Sequence, residues 1–136
     1  MSKIFVDTNI LVHSLQSRDP KLKQRARLRL KDLEKRHQGV ISTQVMQEFY
    51  VVATKKMGVD PLLTKRILQK LENFEVVSVL PRLIYEAIDC SITSEISFWD
   101  ALIVVAAQSA RCDLLWTEDL NPGQIIRDVR IMNPLQ

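Results

Sequence analysis

The stretch Ile4-Phe5-Val6-Asp7-Thr8-Asn9 joins a short apolar run to a polar cluster, and its reading decides how the rest of the 136-residue chain is divided. Ile4–Val6 has the β-branched and aromatic character of a buried strand, and a helix is expected from about Asn9. The same alternation continues outward. Pro20 opens a basic helix, and Val40–Ser42 reads as a second short strand. Gln44 to Met57 reads as one helix, with Val45, Phe49, Val52 and Ala53 as its apolar stripe. Asp60-Pro61 is an N-cap followed by proline at the first helical position, opening a helix that carries Leu63, Ile67, Leu68 and Leu71 inward. Glu75–Val79 is expected as a third strand. Pro81 then opens a helix with Leu83, Ile84, Ala87, Ile88 and Ile92 on one face. Phe98 to Ala110 is apolar almost all round, as a buried helix should be. Leu114–Trp116 and Val129–Met132 complete the strands.

Strands this short and apolar, separated by helices, predict a parallel sheet covered on both faces. The expected fold class is therefore α/β: a three-layer α/β/α sandwich forming one domain over residues 1–136. Apolar residues make up 46% and charged residues 26%, a globular balance, and only 3 glycines and 5 prolines leave little room for linker. The longest apolar run, Ala101–Ala107, is far short of the ~20 residues that cross a bilayer, and the N-terminus has no signal-peptide pattern. No membrane association is expected. Cys90 and Cys112 have no paired spacing and read as reduced, buried thiols of a cytoplasmic protein.

A net charge of +3 does not by itself point to a polyanionic partner. Lys21, Lys23, Arg25, Arg27, Arg29, Lys31, Lys35 and Arg36 are concentrated in one segment, opposite a face of Leu22, Ala26, Leu30 and Leu33. That segment is either the solvated side of an amphipathic helix or a surface that attracts phosphate backbone.

The acids carry more information. In a parallel sheet the strand C-termini lie at one edge, where ligands of open α/β sheets bind. Asp7 directly follows the first strand. Glu48 sits about one turn into the helix after the second. Asp100 lies in the first turn of the helix leading into the fourth strand, and Asp119 just after that strand. Asp60 should lie at the opposite end. Four carboxylates gathered in low dielectric repel one another unless a cation neutralises them. Oxygen donors with no histidine or thiolate at ligand spacing suit magnesium or manganese, and hence metal-assisted hydrolysis. Each acid also has a plainer reading. Asp7 could be a turn residue, Glu48 a surface residue and Asp119 a loop residue. Ser97-Phe98-Trp99-Asp100 fits a capping box.

These residues resemble a known family, the PIN-domain nucleases, and most closely the VapC-type toxins of toxin–antitoxin pairs. The resemblance rests on Ile4-Phe5-Val6-Asp7-Thr8-Asn9-Ile10-Leu11-Val12 and on Ile41-Ser42-Thr43-Gln44 leading to Glu48-Phe49. It continues through Ser97-Phe98-Trp99-Asp100-Ala101-Leu102-Ile103-Val104, Leu115-Trp116-Thr117-Glu118-Asp119-Leu120-Asn121-Pro122-Gly123 and Val129-Arg130-Ile131-Met132-Asn133-Pro134. It implies a mostly parallel five-stranded sheet with the first and fourth strands adjacent. It makes Asp7, Glu48, Asp100 and Asp119 the catalytic, metal-binding acids, Asp7 and Asp100 foremost, with Mg2+ or Mn2+ as cofactor. Thr8, Asn9, Ser42 and Thr117 would be the supporting polar groups, and Asp119 rather than Glu118 would face the metal. The resemblance further implies an RNA substrate, a small antitoxin partner and a homodimer. The alternative reading is a PIN-like domain that binds RNA or protein without cutting it. Phosphatases of the haloacid-dehalogenase type fit poorly, because Asn9 stands where they need a second aspartate. Response-regulator receivers fit no better, because Ser78-Val79-Leu80-Pro81 offers no acid after the third strand.

Overall fold

The computed structural model describes residues 2–15 and 18–136. Its strands are β1 (Lys3–Val6), β2 (Gln38–Ser42), β3 (Glu75–Val77), β4 (Leu114–Trp116), β5 (Ile125–Ile126) and β6 (Val129–Met132). Its helices are α1 (Thr8–Leu15), α2 (Pro20–Arg36), α3 (Thr43–Val51), α4 (Pro61–Leu71), α5 (Pro81–Ser94) and α6 (Phe98–Ser109). The strands form one sheet in the order β3-β2-β1-β4-β6-β5, parallel except for the β5–β6 pair. The fold is α/β, as the alternation of short apolar strands and helices requires.

From β1 the chain builds outward through β2 and β3, then crosses to β4 on the other side. The strand order therefore reverses between β1 and β4, which creates a crevice at their carboxyl ends. β1 contributes Phe5 and Val6 to the core with no exposed surface, because it has a strand on either side and helices on both faces. α6 buries every residue from Ala101 to Ala107. No single helix among the described residues is long and apolar enough to cross a membrane.

Three sequence expectations need correction. The sheet has six strands, not five: Ile125 and Ile126 pair antiparallel with Arg130 and Val129. The two-residue turn between them is Arg127-Asp128, both with positive φ. A turn of that kind normally signals itself by asparagine or glycine, so this sequence gives no hint of the hairpin. The helix expected over Gln44–Met57 is α3 followed by a π-helical turn, Val52–Lys56, closed by a bond from the Met57 N–H to the Val52 carbonyl at 3.2 Å. The outer helices also bury narrower faces than their apolar content suggests. α5 packs Leu83, Ala87 and Cys90 inward and leaves Ile84, Ile88 and Ile92 exposed. In α4, Leu63 is exposed and Thr64 is buried instead, its hydroxyl donating to the Asp60 carbonyl at 3.0 Å. Asp60 does cap α4, accepting from the N–H groups of Leu62 and Leu63. Cys90 and Cys112 are free and buried, and burial pushes the Cys112 thiol up to about 12, so little thiolate forms.

Candidate active site

Asp7 leaves β1 with its backbone still in the sheet, its N–H donating to the Trp116 carbonyl of β4 at 3.0 Å. Its side chain is only 5% exposed. Two threonines hold it. The Thr8 N–H donates to Oδ1 at 2.7 Å, and the Thr117 hydroxyl donates to Oδ2 at 2.8 Å. Each threonine also reaches a second acid. The Thr8 hydroxyl donates to Glu48 Oε1 at 2.9 Å, and Thr117 Oγ1 accepts from the Asp119 N–H at 3.1 Å. Residues on β1, α3 and the loop after β4 are thus tied into one network at the switch point. The donors to Asp7 favour its charged form, but burial outweighs them, and the nearby Asp119 and Glu48 charges add to the effect. Together these push the Asp7 carboxyl up to about 7.

Asp100 comes from the first turn of α6. Its N–H donates to Ser97 Oγ at 3.1 Å, so Ser97 is the N-cap of that helix. The Asp100 carboxyl is nonetheless raised from the usual carboxylate range by burial. A Ser97 hydrogen bond opposes the rise and the Asp119 charge reinforces it. Asp100 therefore sits at a helix cap and beside another acid at once. Among the described residues, none of the ion pairs involves Asp7, Glu48, Asp100 or Asp119.

These four acids line one cleft of about 680 Å³, together with Thr8 and Asn9. Asn9 presents a buried Oδ1 that has no hydrogen-bond partner among the described residues. Ser42 is fully buried and accepts from the Val45 N–H at 3.3 Å, which makes it the cap of α3. Glu118 turns away from its neighbour and meets His13 Nε2 at 2.7 Å, while Asp119 lines the cleft. Among the described residues, no three Asp, Glu, His or Cys side chains converge into a ready-made metal cage. The acids are near enough to repel one another but do not form a closed ligand shell.

The cleft has residues that the sequence reading did not single out. Gln44, Gln47, Lys56 and Trp99 line it beside the acids. Gln44 Nε2 donates to the Trp99 carbonyl at 3.3 Å, joining the starts of α3 and α6 across the cleft. A strand-then-helix pattern locates residues at element ends. It gives no signal for a lysine whose placement depends on a π-helical turn.

The pattern of the PIN domain family matches residues 4–126. The chain belongs to that family. Several solved structures share its fold at low identity. A toxin–antitoxin complex from Klebsiella pneumoniae is 24% identical, covering 96% of this chain and 97% of that one, with a TM-score of 0.68. VapBC2 from Rickettsia felis, bound to a DNA fragment from its promoter, is 18% identical over 96% and 98%, with a TM-score of 0.69. VapC20 from Mycobacterium tuberculosis, a toxin that cleaves the sarcin–ricin loop, is 17% identical over 85% and 91%, with a TM-score of 0.64. No curated protein matches the chain. The PIN architecture accounts for the adjacency of β1 and β4 that places Asp7 next to the loop of Asp119.

Proposed function

We propose that this PIN domain is a divalent-metal-dependent endoribonuclease, and that it acts as the toxin of a toxin–antitoxin pair. The observation that carries the reading is Asp7. A carboxyl group buried at the switch point, held by two threonines and pressed by neighbouring acids, is costly to keep unless a cation offsets the charge. The all-oxygen donor set and the orphaned Asn9 oxygen fit magnesium or manganese. Among the described residues the acids do not converge into a ready ligand set, so an ion bound here would have to keep several of its waters.

Asp7 and Asp100 would be the principal ligands, with Glu48 and Asp119 completing the set directly or through water. When bound, the metal supplies Lewis-acid polarisation of the phosphoryl oxygens and a water of lowered pKa. Thr117 holds the Asp7 carboxylate on one side and the Asp119 backbone on the other, so the two acids keep their relative position. Thr8 does the same for Asp7 and Glu48. Asn9 offers a further acceptor on the cleft wall.

The toxin assignment draws on the solved relatives, which include toxin–antitoxin complexes. On this reading a small antitoxin occludes the cleft, the protein forms a homodimer, residues 1–136 act as one domain, and the cellular RNA substrate places it in the cytoplasm. The competing reading, a PIN-like domain that binds without cutting, predicts no metal-dependent turnover. Purified protein incubated with mixed RNA should degrade it in magnesium and leave it intact in chelator. Asp100→Asn should be inactive under both conditions. Equal RNA integrity in magnesium and chelator for the wild type would favour the binding reading.

A further inference from the structure

Besides the acids, the cleft is lined by residues of a different chemistry. Trp99 directly precedes Asp100 in the first turn of α6 and is 62% exposed, although Ala101 to Ala107, which follow it on the same helix, are all buried. Its ring is steadied edge-on by Phe98, with centroids 5.1 Å apart at 76°, and its carbonyl is held by Gln44. Val12, Val51, Val52 and Ile103 give the cleft an apolar wall beside it. Lys56 is the only lysine or arginine among the described residues that lines the cleft, and it sits on the π-helical turn. Turns of that type occur mostly as single insertions in α-helices, and frequently at functional sites.

A fixed aromatic face, an apolar wall and one cation next to clustered carboxylates match the parts of a single nucleotide. Phosphate needs a cation, and an unstacked base needs a flat apolar partner. A base kept inside a duplex could not offer its face to Trp99 without leaving the stack. Given the nuclease reading above, on which this rests, we propose that Trp99 stacks on an unpaired base flanking the cleaved phosphodiester. Lys56 holds a neighbouring phosphate. The enzyme then prefers RNA whose nucleotides are unpaired at the cut, and sequence preference beyond that lies outside this contact.

The test is binding of a short fluorescently labelled single-stranded RNA in chelator, so that no cutting occurs. The wild type, Trp99→Phe, Trp99→Ala and Lys56→Met are compared after thermal melts show that each is folded. Trp99→Ala should weaken binding about ten-fold or more, and Trp99→Phe much less, because a phenyl ring still stacks. Moving a single abasic position along the RNA should find one place where the lost base weakens wild-type binding but makes no further difference to Trp99→Ala. Lys56→Met should weaken binding to all sequences alike and lower the salt dependence by about one ion. With magnesium, the wild type should cut the unpaired strand faster than the same strand in a duplex. Trp99→Ala should narrow that gap. The proposal is overturned if Trp99→Ala binds like the wild type, if every abasic position costs both proteins the same, or if the wild type shows no measurable RNA binding. That last result would leave Trp99 as a contact for a protein partner. Trp99-dependent binding without magnesium-dependent cutting would sink the nuclease reading and keep this contact. Cutting indifferent to Trp99 would do the reverse.

Discussion

The two ends of the central sheet use the same residue types in opposite ways. At the end where the parallel strands begin, Lys3 Nζ lies 2.8 Å from Glu75, and Gln38 donates to the same carboxylate at 3.1 Å. Asp113 accepts from the Lys3 N–H at 3.3 Å. Acids there are matched to a cation or a donor, and they hold strand ends together. At the end where the strands finish, Asp7, Glu48, Asp100 and Asp119 surround one cleft, with no lysine or arginine paired to any of them among the described residues. Matched acids are architecture. Acids with no cation opposite them, held in place by Thr8 and Thr117, are the ones proposed above to take a metal ion.

Substitutions at the two ends should therefore differ most in activity. Asp7→Asn is expected to lower magnesium-dependent cleavage on the order of a thousand-fold, the scale of several kcal/mol of lost transition-state stabilisation. Glu75→Gln should leave cleavage unchanged. Parallel assays on one labelled RNA check this, and comparable losses at both ends would erase the contrast.

A stability effect of opposite sense comes next in size. Asp7 titrates near 7 when folded and near 3.8 when unfolded, so between those values the folded state binds the extra proton. Metal-free stability is then greatest, for this group, below pH 3.8 and falls as pH rises toward 7. The loss amounts to at most about 4 kcal/mol at 1.36 kcal/mol per unit. Asp7→Asn should remove that slope, so its denaturation midpoint overtakes the wild type's at neutral pH. Denaturant melts at several pH values in chelator measure the difference. Magnesium should stabilise the wild type by mass action and barely affect the variant.

Within α6, capping and site chemistry can be separated. Ser97→Ala removes the acceptor for the Asp100 N–H and should cost about 1 kcal/mol while most cleavage survives. Asp100→Asn keeps that backbone bond, so it should abolish cleavage without loss of metal-free stability. Smallest of all, Glu75→Gln should cost no more than about 1 kcal/mol, since the Lys3–Glu75 pair is partly exposed. A larger loss would mean that the starting end of the sheet depends on charge pairing more than its exposure suggests.

Much of this contrast was legible in the sequence, for a definite reason. Strand ends and helix starts are local events, and Val6-Asp7, Ser97-to-Asp100 and Trp116-to-Asp119 all report them locally. What stayed hidden depends on contacts distant in sequence or on uncommon backbone geometry. Strand position alone leaves Glu118 and Asp119 equivalent; only the family resemblance favoured Asp119, and the fold adds that His13, on α1, takes Glu118. Val51, Val52 and Ala53 continue the apolar pattern of α3 straight through the π-helical turn, so Lys56 could not be placed. The β5–β6 hairpin turns on Arg127-Asp128, residues with no preference for positive φ strong enough to announce it. Trp99 belongs to an apolar run that reads as wholly buried, and only the packed fold reveals that its side of α6 faces the cleft.

The most direct measurement is calorimetric titration of the metal-free protein with manganese at pH 7, repeated in buffers of different ionisation enthalpy. Burial pushes the Asp7 carboxyl up to about 7, so an ion taken up there should displace a fraction of a proton per site, and Asp7→Asn should lack that contribution. Saturable binding with that release in the wild type alone is the predicted result. Absence of binding at millimolar manganese, or identical heats and proton counts for the two proteins, would contradict the assignment of this edge as a metal-dependent catalytic centre.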